Sequence, residues 1–157
     1  MGLRWIAAVA LIGLLAACAG EQGAPKHEMT AVELAHERFL TYLDNCSATY
    51  GTDPRTATVG ENELVAHERE WRSCAYEGIR TIIMPASTYP QDYAEMIAED
   101  QVMTEKVAQG EMTRTERRAR LDAMREEIAA KEMRASEASV EQAERNAAIV
   151  RQIRGLP

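Results

Sequence analysis

The chain has 157 residues, with 18 Lys and Arg against 25 Asp and Glu and a formal net charge of −7. That acidity leaves no basic footprint able to neutralise a phosphate backbone, so nucleic acid is excluded from the expected partners. Aromatic residues make up only 5%, with a single Phe (Phe39), which argues against a thick core and for helix-on-helix packing through small side chains.

In chain order, residues 1–5 carry one positive charge, Arg4, and residues 6–15 are apolar apart from Gly13. Two small residues follow, and then Cys18. A positive start, a short apolar run and a small-residue cleavage site make an export signal. The run is too short to stay as a spanning helix, which needs about 20 apolar residues. Placing a cysteine directly after Leu15-Ala16-Ala17 resembles the lipobox of bacterial lipoproteins. The resemblance covers only the first 18 residues. It implies cleavage before Cys18, acylation of its thiol and new amino group, and anchoring in the membrane through those chains. Two or three acyl chains hold a protein stably where one binds only marginally. In such lipoproteins an aspartate after the cysteine often marks retention at the inner membrane. Ala19 stands there instead, which implies the periplasmic face of the outer membrane.

Removing residues 1–17 takes away one basic residue and no acidic one, leaving a net charge of −8 and 21 alanines. Two cysteines then remain, Cys46 and Cys74, 28 positions apart. An exported chain meets an oxidising compartment, so a disulfide between them is expected. Closing that loop is worth about 3–4 kcal/mol in the chain-entropy model. A metal or redox pair is the alternative, but there is no Cys-x-x-Cys and no histidine at ligand spacing.

Residues 18–29 contain Gly20, Gly23 and Pro25 without periodicity and read as a flexible tether. Thr30 with Glu33 has capping-box spacing, and Val32, Ala35, Phe39, Leu40 and Leu43 predict a helix to about residue 48. Residues 51–60 read as a loop. A second helix is expected over about 61–83, with Trp71 in or near the core, although Gly78 and the β-branched run Thr81-Ile82-Ile83 weaken its end. Pro85 and Pro90 bracket a turn, and a third helix starts at about residue 91, with Gly110 as its cap. Thr113 and Glu116 form a second capping box, and no Gly or Pro follows until Gly155. A helix of about 40 residues, about 60 Å long, is expected there.

The overall expectation is an all-α protein. Residues 1–17 form the signal peptide and 18–29 the tether, residues 30–110 a small domain of about three helices, and 111–157 one long C-terminal helix. That helix carries two narrow apolar patches, Leu121, Met124 and Ile128, then Val140, Ala143, Ala147 and Val150, in different heptad phases. It reads either as a rod with a surface awaiting a partner or as a helix broken near Ala135-Ser136 and folded back.

No pattern for chemistry stands out. His67-Glu68 lacks the second histidine of a zinc helix, and there is no nucleophile elbow or phosphate loop. No cofactor, metal or catalytic residue is therefore expected. Charge is uneven: residues 18–110 carry −9 and residues 111–157 carry +1. Arg114, Arg117, Arg118, Arg120 and Arg125 cluster at the start of the long helix as a candidate contact patch for an acidic partner or anionic headgroups. Arg114, Arg117 and Arg118, with Val140 and Val150, are the expected partner-binding residues, for a protein partner or for self-association. The expected function is a non-enzymatic interaction or structural protein on the envelope. A periplasmic inhibitor or small-ligand carrier is the alternative, and it would require a concave pocket between the first three helices.

Overall fold

The computed structural model describes residues 29–155. The expected leader at 1–17, lipidation at Cys18 and all of the tether but Met29 lie outside the described residues. Among the described residues every regular element is helical, with no strand. Helix α1 spans Ala31–Tyr50, α2 Glu68–Gly78, α3 Pro90–Ala108 and α4 Arg114–Arg154.

Both capping boxes form. Thr30 N–H donates to Glu33 Oε2 at 2.7 Å while Thr30 Oγ1 accepts from Glu33 N–H at 3.3 Å. Thr113 and Glu116 repeat the exchange at 2.8 and 3.1 Å. These contacts satisfy backbone donors that a helix start otherwise leaves open. The first and third helices end where the chain turns left-handed at Gly51 (φ 65°) and Gly110 (φ 72°), a conformation that glycine adopts without a Cβ penalty.

The second helix differs from its expected span at both ends. It starts at Glu68 rather than near residue 61, because Glu61 serves the start of α4. Glu61 C=O accepts from Arg114 N–H at 2.7 Å, and Glu61 Oε2 accepts from Thr115 N–H at 3.0 Å. His67 then turns the chain in a left-handed conformation (φ 58°) before α2 begins. At the other end the β-branched run winds as a π-helical turn, Ile79–Ile83, and passes into a 3-10 turn, Met84–Ala86. A π turn of this kind is a local widening that re-aims side chains.

The four helices run up, down, up and down. Cys46 of α1 and Cys74 of α2 are joined by the expected disulfide, with Cα atoms 6.0 Å apart. One to two turns further along the pair, Gly78 lets α2 approach the rings of Phe39 and Tyr42 closely. Arg69 pairs with Glu105 and Tyr76 with Asp100, which sets α3 antiparallel to α2. Asp100–Arg117 and Asp92–Lys131 do the same for α4 against α3. Trp71 is buried and donates its indole N–H to Ser47 Oγ at 2.9 Å.

The long helix is unbroken, and its two halves have different fates. Leu121 and Ile128 are buried in the main core with Ile83, Ile97 and Met103, and Met124 packs against them. The first half of α4 is therefore a member of the bundle and not a free rod, because its apolar patch faces α3. Glu132 pins the end of this half by accepting from Ser87 Oγ and, at 3.0 Å, from Thr88 N–H. Beyond Ala135 every described residue is exposed. The 21 residues from Arg134 to Arg154 extend about 31 Å at 1.5 Å per residue. No helix of the described residues is long and apolar enough to cross a membrane.

Candidate functional site: an open seam in the bundle

In a closed bundle of this topology the first and last helices would pack together. Here α1 packs on α2 and α4 packs on α3, and no comparable packing joins α1 to α4. The unclosed seam leaves a cavity of about 1060 Å³, just above the range of about 300–1,000 Å³ usual for ligand pockets. The alternative reading required a pocket between the first three helices; the cavity has α4 as an additional wall.

The cavity has a polar end and an apolar body. Phe39, Ile79, Ile83, Met96, Ile97 and Leu121 line the body. At the end nearer the start of α4 lies a buried group of charges: Arg72, Asp100 and Arg117 line the cavity, as does Arg114, with Glu68 beside them. Glu68 is 1% exposed. It accepts from Arg72 Nε at 2.9 Å, from Arg114 Nη1 at 2.7 Å and from Val65 N–H at 3.0 Å. Burial alone would raise its carboxyl, but the Arg72 charge and these hydrogen bonds outweigh burial and hold it below the usual carboxylate range. Asp100 accepts from the Tyr76 hydroxyl at 2.9 Å, pairs with Arg117 and has Arg72 Nη1 at 3.6 Å. Burial, and then the Asp100 carboxylate beside it, push the Tyr76 hydroxyl well above the usual range.

Three guanidiniums thus meet two carboxylates, an excess of one positive charge. Arg117 carries the consequence. Among the described residues its Nε is the buried side-chain polar atom left without a hydrogen-bond partner. Burial and the neighbouring Arg72 charge both lower its pKa, against the opposing pull of Asp100. At the far end of the cavity Tyr93 is buried near Glu132, and burial followed by that carboxylate pushes its hydroxyl up to about 12.

No family model, curated protein or solved structure matches this chain. The reading of its site therefore rests on its own residues.

The structure divides the five described residues expected to meet a partner. Arg114 and Arg117 turn inward, with side chains 12% and 9% exposed, and hold Glu68 and Asp100. They are not available as part of an outer basic patch, because each would have to abandon a buried carboxylate. Arg118 remains on the surface, whereas Arg120 and Arg125 there approach Glu99 and Asp122. Val140 and Val150 stand out on the projecting half of α4, exposed by 57% and 45%. Glu68 and Asp100 were missed because their signal is weak in the sequence. Glu68 and Arg72 have the i,i+4 spacing of any solvated helix pair, and nothing local says that this pair is buried. Among the described residues no group of three His, Cys, Asp or Glu side chains converges to hold a metal ion.

Proposed function

We propose that this chain is a lipid-anchored envelope lipoprotein that works by binding rather than by catalysis, using the projecting half of α4 to pack against a helical segment of a partner protein. The observation that carries the reading is the exposed apolar arc on that half. Val140 and Val150 are 57% and 45% exposed, and Ala143 and Ala147 fall between them on one face at 3.6 residues per turn, whereas Ile149, nine positions from Val140, stands on the opposite face. A buried side chain of the larger kind gains about 1.5–3 kcal/mol over an exposed one, so this arc gains stability once a second helix covers it. Small alanines in the arc would let the two helices approach closely. The lipobox resemblance at Leu15-Ala16-Ala17-Cys18 supplies the anchor in this proposal, with the periplasmic face of the outer membrane as its site.

The test is carried out in intact cells. Cys18→Ser is expected to move the protein from the membrane fraction to the soluble periplasm. Val140→Glu with Val150→Glu is expected to abolish crosslinks between α4 and its partner while leaving anchoring intact. Retention of Cys18→Ser in the membrane would overturn the lipid anchor. Unchanged crosslinks in the double variant would overturn the α4 interface, and crosslinks only between copies would replace the partner with self-association.

A second reading has its own support. The cavity between α1 and α4 is the kind of concavity that a small-ligand carrier needs.

A further inference from the structure

The carrier reading leaves its ligand unnamed, and the cavity has chemistry enough to name one. Two features of the polar end point the same way. The buried charges sum to one positive charge in excess, and a buried N–H of Arg117 has no acceptor. An unsatisfied buried donor on a charged group is costly, and a single anion entering from the cavity would supply both the missing acceptor and the missing charge. The rest of the cavity offers apolar walls: Phe39 from α1, Ile79 and Ile83 from the π turn, and Ile97 from α3. A head of one negative charge at one end and a hydrocarbon body behind it describe an amphiphile.

We propose that the α1–α4 cavity binds a long-chain fatty acid, with its carboxylate on Arg117 and its chain along Ile79, Ile83 and Ile97. This rests on the carrier reading and is independent of the partner interface on α4. With its Nη2 held by Asp100, Arg117 has its Nε–H left to donate, and a carboxylate oxygen would accept it as a charge-assisted hydrogen bond. Acyl chains on Cys18 would not serve in its place, because amide- or ester-linked chains have no free carboxylate to offer. Thr30 and Val32 at the start of α1 and Met133 and Ser136 of α4 also line the cavity, and the ligand would enter between them.

The experiment uses the full chain carrying Cys18→Ser, recovered without detergent, and measures equilibrium binding of oleate and of oleyl alcohol, which has the same chain and no charge. Oleate is expected to bind about tenfold more tightly or better, as a charge-assisted hydrogen bond requires. Arg117→Gln is expected to bring oleate down to the level of oleyl alcohol without changing the alcohol. Ala129→Trp keeps the test independent of the buried charges, because Ala129 is exposed yet lines the cavity. The indole should obstruct the cavity and weaken both ligands at least tenfold, with melting unchanged. Equal binding of oleate and oleyl alcohol would overturn the carboxylate ligand while keeping a carrier of neutral lipids. Binding of neither would overturn both the ligand and the carrier reading, and oleate binding untouched by Ala129→Trp would place the ligand outside the seam.

Discussion

Glu68 is the residue on which the polar end of the cavity depends, since both Arg72 and Arg114 reach it and Val65 N–H caps it. Removing one member of a buried pair costs about 3–5 kcal/mol, because the remaining charges stay buried without their partner. Glu68→Gln is therefore expected to lower unfolding stability by that order at neutral pH, read from urea melts. The pH dependence follows from the direction of its shift. The folded carboxyl lies below its ordinary value of 4.5, so its contribution is present above about pH 4.5 and is lost as pH falls through the folded value. The gap between the parent protein and Glu68→Gln should accordingly close in acid. A gap that stays constant from pH 7 down to pH 3 would show that the carboxylate contributes no charge-dependent stability. Gly78 makes a different demand. A Cβ there would sit 2.6 Å from the Tyr42 ring and 2.8 Å from the Phe39 ring, and neither aromatic is a flexible chain end that can swing away. Gly78→Ala is expected to cost about 1–3 kcal/mol, as overpacking does elsewhere, despite alanine being the better helix former. A melt equal to or above that of the parent would mean that α1 and α2 are not so closely apposed.

Helix α4 is one element with two roles divided near Glu132. Up to that point it is held by Arg114 to the loop and α2, by Arg117 and Lys131 to α3, and by Glu132 to the turn before α3. After it, the helix is supported by its own hydrogen bonds and by local pairs such as Glu141–Arg145 and Gln142–Asn146. Pairs of this kind stabilise a helix by about 0.2–0.5 kcal/mol each. Chain truncations separate the two halves. Ending the chain after Glu137 is expected to leave domain stability within about 0.5 kcal/mol, the usual range for changes away from the core. Ending it after Gly110 removes Leu121, Ile128 and both inward arginines, and is expected to abolish cooperative unfolding. If the first truncation lowers the domain's melting strongly, the projecting half must fold back onto the bundle in solution. The second helix shows the complementary lesson. Its core segment was legible from Trp71, but its start was not, because Glu61 is drawn into capping α4 and His67 turns left-handed before Glu68.

At the scale of the whole molecule, local signals in the chain were sufficient for the all-helical class, both capping boxes, the glycine cap of the third helix and the span of about 40 residues for the last, though not for whether that helix breaks near Ala135-Ser136. Each of these is decided by residues within one or two turns of one another, through hydrogen bonds and backbone preferences that a short peptide already contains. The cysteine pair was legible for another reason: with Cys18 set aside as the expected lipidation site, two cysteines remain, and the oxidising compartment expected of an exported chain would leave each a single partner. The inward turn of Arg114 and Arg117, the burial of Glu68 and Asp100, and the open seam between α1 and α4 were not legible. These depend on residues 17 to 46 positions apart, and an arginine four residues from a glutamate reads the same on a solvated face as in a core. Tertiary packing alone decides which face of α4 meets α3, and it decides that α1 and α4 stop short of each other. Between them lies a cavity lined by Arg117, whose Nε is the buried side-chain donor left unsatisfied among the described residues.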